Sequence, residues 1–334
     1  MIGEFELIAK IASMSKASAA VNRGLAVGIG DDAAVIRSES GDYSVITTDM
    51  LVEGVHFDLQ YFTFYEIGWR AVAANLSDVA AMGGKPIYIV VAIAIPQKVE
   101  AVNIEALYAG MNALCKQFDV VIIGGDTTFS LGGLTVSITA LGTVLPEHLK
   151  KRSAAMVGDS ILLTGTPGDS KAGLQALRSQ DGQLIKACAS AVRKHLTPLP
   201  RVAESAFLVS SFPLNAMIDV SDGVASELNH ICKQSKVGAV IYQNKLPVSA
   251  QAKIVAAELT QKSDDYFLNG GEDFELLFTA PKTRANDICL QFSQRFELEI
   301  TEIGTILPAE QGIWLEHDNG QRTECAATGW NHFQ

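Results

Sequence analysis

The sequence predicts an α+β protein of two domains: an N-terminal mixed α/β domain and a C-terminal, sandwich-like α/β domain. Three observations carry this. The chain has 334 residues, more than one simple core usually serves. Hydrophobic residues make up 48%, enough for extensive burial. Strand-like and helical patterns mix along the chain, yet few strands are separated by the single helix that a parallel sheet requires. A polar, charged passage, LPEHLKKRSAAMVGDS (145–160), breaks the pattern. It divides the chain into residues 1–150 and residues 151–334.

In the first half, strands are expected at YSVITT (43–48), IYIVVAIAI (87–95), VVIIGG (120–125) and LTVSITALGTV (134–144). A helix is expected over 66–82, where Ile67, Val72, Leu76, Val79 and Ala80 form an apolar stripe. Gly83, Gly84 and Pro86 stop it. A second helix covers 99–116. The run Ile87–Ile95 lies between two prolines; it is too short to cross a bilayer as a helix and reads as a buried strand. The second half opens with strand ILLTG (161–165) and the turn TPGDS. Helical stretches follow over 183–195 and 199–210, then strand LNAMIDV (214–220) and a helix within SDGVASELNHICKQS. Later strands are VGAVIY, FELLFTA, LEITEIG and GIWLE.

The formal net charge of −11 argues against nucleic-acid binding, which needs a basic face. It leaves phosphate ligands open, because metal ions reverse the local field. The five cysteines, at 115, 188, 232, 289 and 325, form no CxxC pair. A disulfide framework or structural zinc is not expected, and a reducing cytoplasm fits. The start carries Glu4 and Glu6 where a signal peptide needs basic residues. No membrane association is expected.

Chemistry is concentrated in aspartates. Apolar runs lead straight into Asp49 (VITTD), Asp126 (VVIIGGD) and Asp219 (LNAMID), and these strands are expected to end there. Asp78 lies on a helix in NLSD, Asp222 follows Asp219 by three residues, and Asp32 closes GIGDD. Aspartate also caps helices and shapes turns. A cap reading suits Asp169, and for Asp222 it stands level with a metal role. Asp49, Asp126 and Asp219 answer no local polar need. Carboxylates gathered without cations repel, and an acid set without His or Cys suits Mg²⁺ or Ca²⁺. Thr47, Thr48, Thr127 and Ser221 offer further oxygens. GIGDD would therefore meet a phosphate through a metal: its glycines let the backbone approach and Asp32 holds the ion. There is no GxxxxGK[ST] loop and no protein-kinase set. The match of GIGDDA to a dinucleotide fingerprint is weak, since two carboxylates would oppose a pyrophosphate.

The segments GEFELI, GIGDDAAV, TTDMLVEGVHF, NLSDVAAMG, GGDTT, TGTPGDSKAG, DVSDG, NGGEDFELLF and GWNHF occur in this order. Together they resemble the thiamine-monophosphate kinase family over nearly the whole chain. That family shares a superfamily with aminoimidazole ribonucleotide synthetase and selenophosphate synthetase. The resemblance implies transfer of phosphate from ATP to thiamine monophosphate, giving thiamine diphosphate. It also implies a homodimer whose N-terminal sheets join into a barrel-like core, with ATP and Mg²⁺ between the domains.

The same resemblance assigns Asp32, Thr47, Thr48, Asp49, Asp78, Asp126, Asp219 and Asp222 to a metal and phosphate cage. Asp49, Asp126 and Asp222 are the catalytic members. Tyr108 would stack on adenine, though a helix-core role fits it equally from sequence. Gly125, Asp126 and Ser221 would meet the nucleotide. Arg152 would touch ATP phosphates, or stand as a solvated linker charge. His56, Glu272 and Trp330 would face thiamine phosphate, Trp330 offering a flat face to the cationic thiazolium. Asp31 would orient its neighbour. A selenophosphate synthetase would want a reactive Cys near the N-terminus, and the first here is Cys115. Another synthetase of the superfamily and a non-catalytic nucleotide-binding protein are the other readings. The acceptor is an already anionic phosphate oxygen, so transfer needs no strong base and is expected to be direct and in line.

Overall fold

The computed structural model describes residues 4–16, 24–38, 41–326 and 329. Trp330, expected against the substrate, lies outside them. Helix α1 (Glu4–Lys16) precedes β1 (Leu25–Val27), β2 (Ala34–Arg37) and β3 (Tyr43–Val52). Then come α2 (Phe64–Ala81), β4 (Lys85–Pro96), α3 (Ala101–Gln117), β5 (Val121–Ser130) and β6 (Thr135–Val144). These strands form one sheet in the order β1-β2-β3-β6-β4-β5. Only β4 and β5 pair in parallel, joined through α3; the other neighbours are antiparallel.

Helix α2 is the pivot of the fold. Thr63 and Glu66 close a capping box at its start, with Thr63 N donating to Glu66 Oε2 at 2.7 Å. It packs on the sheet and on α3, and its far side meets the second domain. The two helices touch backbone to backbone: a Cβ on Gly68 would lie 1.9 Å from the Leu107 carbonyl oxygen, and one on Gly110 1.9 Å from that of Tyr65. The other face of this sheet is uncovered. Met50 and Tyr88 are exposed on it, and edge strand β5 carries exposed Ile123 and Phe129.

After a single turn at Arg152–Ala154 the second domain begins with β7 (Asp159–Thr164). Helices α4 (Asp169–Ser179), α5 (Gly182–Ala187), α6 (Ala189–Leu196) and α7 (Val202–Ser211) lead to β8 (Met217–Asp219), α8 (Val224–Ser235) and β9 (Val237–Tyr242). The remaining elements are α9 (Ala250–Glu258), α10 (Ser263–Asn269), β10 (Leu276–Pro281), α11 (Ala285–Ser293), β11 (Ile300–Pro308), β12 (Ile313–Glu316) and β13 (Arg322–Glu324). The sheet order is β13-β12-β9-β11-β7-β10-β8. Ile161, Leu163 and Leu277 pack under α8, whereas Leu162, Leu276 and Phe278 pack towards α7 and α11. A sheet covered on both faces has apolar residues in continuous runs.

Some expectations needed correction. Strand β3 does not end at Asp49, because its pairing with β6 continues to Val52. Nor does β5 end at Asp126: its ladder with β4 runs on to Ser130. The strand expected over 214–220 is only three residues long. The helix over 183–195 is two, divided at Cys188. Among the described residues no helix is long and apolar enough to cross a membrane.

Candidate active site

Arg70, Ala74 and Asp78 recur every four residues on α2 and so share one face. They form part of, or adjoin, a cleft of about 730 Å³ between the domains. Asp49, His56, Tyr61 and Arg70 line it from the first domain; Ser170, His195, Ser221, Asp222 and Glu272 line it from the second.

Next to the cleft-lining Asp49, three carboxylates converge from three elements. Asp32 comes from the loop after β1, Asp78 from α2 and Asp219 from the end of β8. One oxygen from each lies within 4.8 Å of the others. Gly30, with φ of +122°, gives the turn a conformation that a side chain would strain. Arg152 Nε donates to Asp32 Oδ1 at 3.1 Å, and its backbone N–H to Asp31 Oδ1 at 3.2 Å. Arg152 is thus a fixed partner of the acids and not a solvated linker charge. Ser77 Oγ donates to Asp219 Oδ2 at 2.6 Å, and Thr47 Oγ1 lies 2.5 Å from Asp78 Oδ2. Asp49 adjoins the group, its N–H donating to Asn75 Oδ1 at 3.1 Å.

Burial is the main force on these carboxyls. It pushes Asp219 up to about 8, Asp49 and Asp31 to about 6, and Asp78 well above the usual carboxylate range. Charge repulsion among the acids adds to it at Asp31, Asp78 and Asp219. Asp32 Oδ2 is buried and has no hydrogen-bond partner among the described residues. Hard oxygen donors, an orphaned buried oxygen and mutual repulsion fit a divalent cation such as Mg²⁺. Asp32, Asp78 and Asp219, with Asp49 beside them, are the residues placed to hold it.

The other expected residues divide. Ser221 and Asp222 lie in the turn before α8 and face the cleft. His56 Nδ1 accepts from Val52 N at 3.0 Å, so its Nε2 is the nitrogen available to carry a proton. Glu272 ion-pairs with Arg70. Tyr108 is half-buried against the first domain's core.

Thr48 and Asp126 do not join the acids within this chain. Alternation along β3 turns Thr48 to the uncovered face, where its hydroxyl donates to Ile138 O at 3.1 Å. Asp126 shares that face: Met50, Ser137, Ala92 and Asp126 stand in one cross-strand row. The register puts β5 three strands from β3, about 14 Å at the usual spacing. Gly125 has a local reason to be glycine, since a Cβ there would lie 1.9 Å from the Val91 carbonyl oxygen.

Sequence reasoning missed Arg70, Asn75, Ser77 and Glu227. Glu227 is buried, and its Oε1 accepts the Asp222 N–H at 2.8 Å and the Ser221 N–H at 3.3 Å. The available signal was polar residues inside otherwise apolar helical faces.

The chain matches two family models: AIR synthase related protein, N-terminal domain, over residues 30–144, and AIR synthase related protein, C-terminal domain, over 156–314. It is 36% identical to the thiamine-monophosphate kinase of Buchnera aphidicola subsp. Schizaphis graminum, covering 99% of this chain and 98% of that protein. It is 34% identical to that of Bacillus subtilis, with 99% of each covered. Among solved structures, AaThiL complexed with AMPPCP and TMP superposes with a TM-score of 0.85 at 32% identity. That match covers 99% of this chain and 97% of that one.

Proposed function

The chain belongs to the thiamine-monophosphate kinase family and is a kinase whose acceptor is itself a phosphate group; from that premise we propose that the γ-phosphoryl group of ATP passes directly and in line to thiamine monophosphate. The observation that carries this reading is the convergence of Asp32, Asp78 and Asp219 beside an interdomain cleft that Asp49 and Asp222 line. The acceptor oxygen is anionic near neutral pH, so the chain need not supply a base. Its task is to hold two polyanions together and in line.

Bound Mg²⁺ would supply the charge neutralisation that this requires. Asp32, Thr47, Asp49, Asp78, Asp219 and Asp222 are the residues we assign to hold it, with Arg152 fixing Asp32 on the nucleotide side. Tyr108, Gly125 and Ser221 are assigned to ATP, and His56, Glu272 and Trp330 to thiamine monophosphate. We divide the domains at 150/151 and take the protein to be cytoplasmic. The free cysteines support a reducing compartment.

Thr48 and Asp126 belong to the cage only if a second copy completes it. The uncovered sheet face supports a homodimer: it carries exposed Met50 and Tyr88 and runs out to edge strand β5, and exposed apolar surface of this kind marks an interface. Asp126 and Thr48 would then act across that interface.

The test is direct. Purified protein with ATP, Mg²⁺ and thiamine monophosphate should yield thiamine diphosphate and ADP, with inversion at the γ-phosphorus. Phosphate release to water alone, or net retention, would refute the reading.

A further inference from the structure

Arg70 is the largest of the fully buried side chains, 1% exposed, yet it stands on the cleft wall. It belongs to α2 of the first domain, but its charge is answered from the second. Nη1 donates to the His195 carbonyl oxygen and Nη2 meets Glu272 Oε2. The second contact is charge to charge, without an aligned hydrogen bond from Nη2. The guanidinium also lies 5.6 Å from the centre of the Phe62 ring. Glu272 is fixed from its backbone as well: its φ is +64°, and its N–H donates to Ser221 O at 2.7 Å. Its side chain is 33% exposed. Arg70 holds Oε2, and Oε1 has no partner among the described residues.

Distance along α2 says what this carboxylate can reach. Arg70 lies eight residues before Asp78, about 12 Å along the helix axis. If the substrate's phosphate sits beside the acids, a span of that length carries its aromatic end down the cleft to Glu272. The imidazole of His195 adds no second cation to this wall: burial, with Arg70 nearby, pushes it well below the usual range.

We propose that Arg70 is a specificity-determining positioning residue. It reaches across the domain boundary to fix Glu272, leaving Oε1 to accept a hydrogen bond from the exocyclic amino group of the substrate's aminopyrimidine ring. This rests on the reading of the site as one for thiamine monophosphate. An acceptor held in place against an amino group rejects an analogue that presents a carbonyl there, because two acceptors then face each other.

The test compares thiamine monophosphate with its 4′-oxo analogue as substrates for the full chain with ATP and Mg²⁺. The wild type should prefer the amino substrate. Arg70→Met should raise KM for thiamine monophosphate roughly tenfold, leave KM for ATP within about twofold, and cut the amino-over-oxo preference in kcat/KM about tenfold. Because Arg70 is buried, Glu272→Gln is the second variant. Its amide keeps the shape and can donate to a carbonyl, so the preference should shift towards the oxo analogue. If Glu272→Gln leaves the preference unchanged, the proposal is overturned while the kinase reading stands. Likewise, an Arg70→Met protein that is merely less stable, with an unaltered preference, marks Arg70 as a structural bridge. A wild type that does not phosphorylate thiamine monophosphate removes both readings together.

Discussion

The second domain holds its own group of buried acids, Asp169, Asp273 and Glu275, and it contrasts with the group beside the cleft. Asp273 accepts the backbone N–H groups of Gly168 at 2.6 Å and Ser170 at 2.8 Å. Glu275 takes Arg201 Nε and Thr164 Oγ1, each at 2.7 Å. Asp169 takes Lys194 Nζ at 2.7 Å and Thr166 Oγ1 at 2.6 Å. Here every acid faces donors. Beside the cleft Asp32, Asp78 and Asp219 face one another, and Asp32 Oδ2 has no hydrogen-bond partner among the described residues. Burial alone does not separate the groups, since it lifts Asp273 and Asp219 alike to about 8. What separates them is mutual repulsion: each acid of the second domain's group has its own donors, whereas the three cleft acids crowd together around one guanidinium, that of Arg152. A group whose repulsion the protein leaves unanswered has a ligand to receive.

The largest effect that tests this contrast is on turnover. Asp219→Asn keeps an oxygen for the Ser77 hydroxyl and removes one charge from a repelling group. We expect kcat to fall roughly 10²–10³-fold, the range for loss of one preorganised electrostatic contact, with no loss of Tm in metal-free protein. Activity near wild type at modest Mg²⁺ would take Asp219 out of the cage.

The mirror experiment is Glu275→Gln. Buried Arg201 would lose its close charge partner and keep only the 3.7 Å ion pair with Glu204, at a cost of about 3 kcal/mol in stability. Denaturant unfolding should show that loss, while kcat per folded molecule stays close to wild type. A selective fall in kcat with unchanged stability would erase the distinction between the two groups.

Most of the architecture was legible because it rests on local pattern. Long apolar strands and the glycine-stopped helix α2 announce themselves by periodicity. Short β1 and β2, and α4 with its polar surface, do not. The acids at Asp32, Asp78 and Asp219 were legible as unusual polar residues beside apolar runs. Their separation from Asp126 was not, because it depends on strand order: β6 and β4 lie between β3 and β5. Neighbours in GGEDFEL show the same limit. Glu272 faces the cleft, whereas Asp273 ties down the start of α4, and no local pattern distinguishes them. Arg70 is a single basic residue on a largely apolar helix, and its charge is answered by groups of the second domain that are remote in sequence.

The smallest effect, and the sharpest comparison, is in the pH dependence of stability. Asp219 and Asp273 have folded values raised to about 8 by burial first, against about 3.9 in an unfolded chain. Between those values the folded state keeps protons that the unfolded state has released. Their contribution to stability is therefore fully present below about pH 4 and is lost as pH rises towards 8. Metal-free protein should show Tm falling across that window. Mg²⁺ displaces protons only where it binds, so it should raise Tm more at pH 8 than at pH 5 and remove the share of the slope that Asp219→Asn also removes. The share due to Asp273 should persist with Mg²⁺ and vanish only in Asp273→Asn. Melting curves of the wild type and both variants, with and without Mg²⁺ from pH 5 to 8, decide it. If Mg²⁺ leaves the slope untouched, the cleft acids hold no cation; if it also abolishes the Asp273 share, the two groups are not distinct.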